Sequence, residues 1–215
     1  SPLYLESRKK YIVVAGLLRS GSTWLYNAVR LSLIHADISV YASFLDESYD
    51  RNNPAPVHLI KVHNYHSELA SAKDQLFMSV RDPRDMVTSA IRKKMIRNND
   101  TEVLQFLNDV INVDYHAWSP HINLEFRYEL SVSKNQAKTI EQIHQSLALP
   151  MEGVEKVIHS LEAIIPTAEY DRTTLLWPDH LNGGKVEGFN EVLNRTTIEK
   201  IEKEFSEWMI SKGYK

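Results

Sequence analysis

Cysteine is absent from the 215 residues. That excludes disulfides, thiolate zinc sites, iron–sulfur clusters and a cysteine nucleophile. Glycine (7) and proline (8) are scarce, so each cluster of them reads as punctuation of the chain. No apolar run approaches the roughly 20 residues that span a bilayer. The segment before Tyr11 is polar (Glu6, Arg8, Lys9, Lys10) and lacks the apolar stretch of a signal peptide, so a cytoplasmic location is expected. Nor is there an excess of one charge: 25 Lys and Arg against 28 Asp and Glu leave a formal net charge of −3. Nucleic acid and anionic membranes favour strongly basic surfaces, so neither is expected as a partner.

What is present alternates between strand and helix. Tyr11 to Ala15 is a continuous apolar run, as in a strand buried on both faces of a parallel sheet. A turn from Gly16 to Gly21 follows, then an apolar-faced helix carrying Trp24, Leu25, Ala28, Val29 and Leu31 to Ile34. Val57 to Val62 and Gln75 to Val80 are further strands, and Leu124 to Tyr128 is a fourth. Pro83 opens a helix expected to reach about Arg97, with Asp82 as its N-cap. Beyond Ser131 the chain reads as helical near 134–148, 152–164 and 196–212, with an irregular stretch from Pro166 to Asn194. This order predicts a single α/β domain over 1–215, with a mainly parallel central sheet flanked by helices.

The most informative segment is Gly16-Leu17-Leu18-Arg19-Ser20-Gly21-Ser22-Thr23-Trp24. Its glycines have P-loop spacing, in which inward N–H groups and a helix N-terminus cradle a polyanion. Ser22 stands where ATP- and GTP-binding loops place lysine, and Arg19 supplies a cation inside the loop instead. A strand–turn–helix junction with incidental glycines is the plainer alternative.

Leu18 to Trp24 resembles the 5′-phosphosulfate loop of sulfotransferases that use 3′-phosphoadenosine 5′-phosphosulfate (PAPS). The resemblance implies a P-loop NTPase-like sulfotransferase architecture. It places Arg19, Ser20, Gly21, Ser22 and Thr23 on the phosphosulfate and stacks Trp24 on adenine. Ser79 to Ser89 resembles the family's 3′-phosphate site, which assigns Arg81 and Ser89 to that phosphate. Arginine suits such a site because its planar fork matches phosphate oxygens; a local Arg81–Asp82 surface ion pair or cap is the plainer reading. Lys61-Val62-His63 is similar to the family's Lys-Thr-His segment, whose histidine takes the acceptor proton. An imidazole titrating near 6.5 suits that task.

Two segments resemble the family more loosely. Arg127-Tyr128-Glu129-Leu130 implies that Tyr128 contacts the nucleoside. Asn182 to Phe189 is similar to the glycine-rich loop over the 3′-phosphate, with Gly184 and Lys185 as the matching positions; a surface turn explains this segment as well.

The implied reaction is in-line sulfuryl transfer from PAPS, with His63 as base and with Lys61 and Arg19 offsetting charge. A sulfuryl group carries less negative charge than a γ-phosphoryl, so no metal is expected. A P-loop kinase with a degenerate loop and a non-catalytic nucleotide-binding module are the competing readings. The acceptor, a small molecule or a carbohydrate, is not identified by sequence. Tyr41, Phe44, Tyr65, His66, Trp118 and Trp177 are candidate liners, each equally a candidate for core packing. Ile198, Ile201, Phe205, Trp208 and Met209 form a C-terminal apolar stripe expected to pack on the domain.

Overall fold

The computed structural model describes residues 9–132, 134–178, 180 and 186–215. Among them five strands form one parallel sheet: β1 (Lys10–Ala15), β2 (Val40–Phe44), β3 (Val57–Val62), β4 (Gln75–Val80) and β5 (Leu124–Arg127). Their spatial order is β2-β3-β1-β4-β5. Register pairs Val14 with Lys61 of β3 on one side and with Phe77 of β4 on the other. The connection that leaves β1 runs to the far edge of the sheet before the chain returns to β3 and crosses to β4. The carboxyl ends of β3, β1 and β4 therefore meet at a change of direction, where open α/β sheets bind ligands.

Alternation along β1 explains the two layers. Tyr11, Val13 and Ala15 face one core with Met78, Met86, Trp118 and Met209. Ile12 and Val14 face the other with Leu25, Val29, Phe77 and Ile143. The second layer is built by α1 (Ser22–His35), which packs on α7 (Gln136–Leu147) and α8 (Val154–Glu162). Short helices α2 (Ser67–Ala72), α5 (His116–Trp118) and α6 (Tyr128–Ser131) fill connections. The C-terminal stripe packs as expected, on α9 (Arg195–Glu204) and α10 (Ser206–Lys212): Ile201, Phe205, Trp208 and Met209 are all buried. No described helix is long and apolar enough to cross a membrane.

Three differences from the sequence reading have local causes. The helix opened by Pro83, α3, ends at Arg92 rather than Arg97. Lys94 turns left-handed at φ 55°, and Met95 N–H donates back to Ala90 O at 3.0 Å, closing the helix end. β2 went unread because its residues are only half-buried at the sheet edge, without a clean alternation. A helical rod from Asp100 to His121 also went unread: α4 (Asp100–Leu107), a π-helix (Asn108–Tyr115), α5 and a 3₁₀ turn. Its start did carry a signal, Asn99 and Glu102, which cap each other's backbone or side chain as in a capping box.

Candidate active site

The turn after β1 is held open by close approaches that only glycine permits. A Cβ on Gly16 would fall 2.0 Å from Ser22 Cβ and 2.6 Å from Ser79 Oγ. Gly21 has φ 85° and lies against the Tyr128 ring, where a Cβ would come within 2.5 Å of Cδ2. Arg19 is also left-handed at φ 66°, so the loop doubles back on itself before α1. The Ser20 hydroxyl donates to Leu17 O at 2.6 Å and bonds Ser79 Oγ at 2.7 Å, while its N–H donates to Leu17 O. Ser20 thus frames the loop from inside. The first intrahelical bond of α1 runs from Leu25 N–H to Gly21 O, and the helix has no side-chain cap and no acidic residue in its first turn. The N–H groups of Ser22, Thr23 and Trp24 are left as donors for an anion.

β3 delivers two cationic or basic groups to this turn. Lys61 Nζ donates to Thr23 Oγ1 at 2.7 Å, and the side chain is buried. Burial first, then the Arg19 guanidinium, lowers its amine to about 7. His63 Nδ1 lies 2.8 Å from Gly16 O. A carbonyl only accepts, so Nδ1 carries the proton and Nε2 is the bare, basic nitrogen. Burial, and next the neighbouring Lys61, push the imidazole down to about 4, against the raising effect of the Gly16 bond. The Phe44 ring from the end of β2 sits 5.7 Å from the His63 ring.

β4 supplies the second cation. Arg81 directly follows the strand, and its Nη1 donates to Arg19 O at 3.4 Å. Its guanidinium stacks on the Tyr128 ring at 4.2 Å. Ser89, two helical turns along α3, accepts from Arg19 Nε at 2.9 Å. Asp82 caps α3, as one half of the plainer reading expected, and pairs with Arg84. Its carboxylate caps Arg84 N–H and chelates the Arg84 guanidinium at 2.6 Å. Trp24, Gly21, Phe126, Tyr128 and Val132 surround a small void of about 10 Å³ beside the loop, which brings Trp24 and Tyr128 together.

Gly184 and Lys185 lie outside the described residues. The chain just beyond them is tied to α3 by Asp85, which accepts from the N–H groups of Glu187 at 2.7 Å and Phe189 at 3.1 Å. Arg84 covers the Phe189 ring at 4.4 Å. Burial raises the Asp85 carboxyl, opposed by those two N–H bonds and by Arg81. Sequence reasoning missed Asp85: it looks like an ordinary first-turn acid, and its partners stand about a hundred positions away.

The candidate acceptor liners separate. Phe44 lies beside His63, whereas Trp118 is fully buried in the core. Tyr41 packs edge-on against the buried His58 at 5.2 Å, and Tyr65 against Trp118 at 5.0 Å. Trp177 is 56% exposed, its ring tilted against Tyr170 at 4.7 Å, and its backbone N–H donates to His180 Nδ1 at 2.9 Å. His66 is exposed. Among the described residues no three His, Asp or Glu side chains converge as a metal site would require.

No family model and no curated protein matches the chain. Solved structures do. A retinol dehydratase in complex with androsterone and the inactive cofactor PAP superposes with a TM-score of 0.66 at 16% identity, covering 95% of this chain and 82% of that one. A retinol dehydratase in complex with retinol and PAP gives 0.65 at 14% identity, with the same coverages. The parallel sheet and its flanking helices therefore form the same fold as in those proteins.

Proposed function

We propose that this chain is a PAPS-dependent sulfotransferase acting on a hydroxyl or amine of a small-molecule or carbohydrate acceptor. One observation carries the reading: the guanidinium of Arg81 reaches the carbonyl of Arg19 at 3.4 Å, so the cation after β4 and the loop after β1 face a common space. One doubly phosphorylated adenosine would occupy both, its 5′ end on the N–H groups of α1 and its 3′-phosphate on Arg81 and Ser89. The residues present fit such a ligand: the first turn of α1 has no side-chain cap and no acidic residue, and Lys61 and Arg81 reach the same loop. PAP is PAPS without its sulfuryl group, so the fold likeness to PAP-bound proteins supports the same cofactor class here. Ser22 in place of a P-loop lysine speaks against a kinase.

PAPS would supply the sulfuryl group, and the S–O electron pair would leave with the phosphate as PAP. The chain's own part is proton and charge management. His63 Nε2 takes the acceptor proton as the acceptor oxygen or nitrogen bonds to sulfur. Lys61 and Arg19 offset charge at the phosphate end, a purely electrostatic role for Arg19 because a guanidinium keeps its proton.

Calorimetric titration tests the reading without knowledge of the acceptor. PAP should bind in the absence of magnesium and far more tightly than ATP with magnesium. The opposite order would favour the kinase. An acceptor screen with radiolabelled donor sulfate, spanning sterols, phenols and saccharides, then separates an enzyme from a binding module.

A further inference from the structure

His63 stands one residue beyond the end of β3, where the sheet no longer restrains the backbone. Its ring is anchored at one atom, Nδ1, to Gly16 O. That bond and the Phe44 ring hold the imidazole but not the backbone it hangs from, and misplacement of Nε2 by about 1 Å is enough to cost a hundredfold in rate. Something else must hold the turn.

The helical rod that sequence reasoning overlooked does so. Trp118 Nε1 donates to the His63 carbonyl at 3.3 Å from a fully buried ring. Asp114, one helical turn earlier, accepts from Tyr65 N–H at 3.2 Å and from Asn64 Nδ2 at 3.4 Å. The Tyr65 ring then packs edge-on against Trp118, centroids 5.0 Å apart. Residues 63, 64 and 65 are each gripped from the same helix face. That face belongs to a π-helical segment, Asn108–Tyr115, whose wider turns rotate the residues that follow relative to an α-helix.

We propose that Asp114 and Trp118 are positioning residues that clamp the turn after β3 and thereby aim the Nε2 of His63. The proposal rests on the reading of His63 as the base. Asp114 touches no reacting atom and acts through the backbone of residues 64 and 65. Its carboxyl is raised by burial and by Asp109, and lowered by the Tyr65 and Asn64 bonds and by His66. The groups whose charges reach the His63 ring are Lys61, Arg19 and His180.

The plainer view is that Asp114 and Trp118 only stabilise the fold, and the test separates the two. The full chain, labelled with ¹⁵N-histidine, is observed by NMR, with His63 signals assigned by their loss in His63→Ala. The unaltered chain should show protonated Nδ1 and bare Nε2. Asp114→Ala and Trp118→Phe should move His63 toward an exchanging mixture of tautomers and raise its titration toward the free-imidazole value of about 6.5. His63 signals and titration that stay unchanged in both variants would overturn the clamp. If Asp114→Ala does not fold, Asp114→Asn decides, because its amide oxygen still accepts from Tyr65 N–H and should give a smaller shift of the same sign. This readout needs neither PAPS nor acceptor, so it stands even if sulfuryl transfer is disproved. Where transfer is observed, Asp114→Ala should lower kcat with KM for PAPS unchanged. Added to His63→Ala it should cost nothing further, and losses that add in full would also overturn the clamp.

Discussion

Arg19 Nε donates to Ser89 Oγ at 2.9 Å, joining the loop after β1 to the middle of α3 across 70 positions of sequence. The contact ties together the two segments proposed to bind the ends of one nucleotide. Arg19 offers its carbonyl to Arg81 and its side chain to Ser89.

Arg81→Ala should discriminate between nucleotides. Loss of a charge-assisted phosphate contact costs about 1.5–3 kcal/mol, so PAP affinity should fall by about 10- to 100-fold. Binding of adenosine 5′-phosphate, which lacks the 3′-phosphate, should change little. Calorimetry of both ligands checks this, and equal losses would remove Arg81 from the 3′ site.

His63→Ala should lower turnover by about 10²-fold or more with PAP binding retained, as for loss of a general base. The ring's own titration is the sharper measurement. The base works in its neutral form, and burial with Lys61 nearby brings its pKa down to about 4. A kcat/KM profile for PAPS would also carry the 3′-phosphate's own ionisation near 6, so the ring is read directly in the free protein. Histidine-labelled NMR should show His63 neutral as pH falls through about 6 and protonated only on approach to 4. A midpoint near 6.5 would mean that the ring titrates as though in water.

Lys61 predicts proton uptake on binding. In the free protein its amine titrates at about 7, so above that pH it is largely neutral. A bound phosphate ester favours the charged form and raises the pKa, so PAP binding should draw in a proton. Affinity should fall as pH rises above about 7, a range in which the phosphate's own ionisation near 6 is complete. Titrations in buffers of different ionisation enthalpy read the uptake directly. Lys61→Met should abolish it, and uptake that persists in this variant would place the titrating group elsewhere.

Gly21→Ala should eliminate measurable PAP binding and reduce stability by about 1–3 kcal/mol, since it combines left-handed backbone strain with a clash against Tyr128. Adding Tyr128→Ala removes the clash but leaves φ at 85°, so stability should return only in part. Denaturant unfolding of the two variants measures the division.

Much of the frame was legible because local chemistry writes it. β1, β3 and β4 are apolar runs buried on nearly every position. Pro83 behind Asp82 announces α3, and Asp82 caps it as its residue type predicts. β2 escaped because a half-buried edge strand carries little periodicity, and its identity comes from pairing with β3. The π-helix escaped for a related reason. Its sequence looks helical or irregular, and its clamp on residues 63–65 depends on what lies opposite.

The chain order of motifs, the glycine positions of the loop and the absence of a P-loop lysine follow from the amino-acid sequence, because each depends on neighbours a few residues away. Which nitrogen of His63 is bare, why the Lys61 amine sits near 7, and which N–H groups Asp85 and Asp114 accept from were decided only by the tertiary structure. Those properties are set by burial and by hydrogen-bond partners, and the crossing of the chain from β3 over β1 to β4 assembles both from segments far apart in sequence.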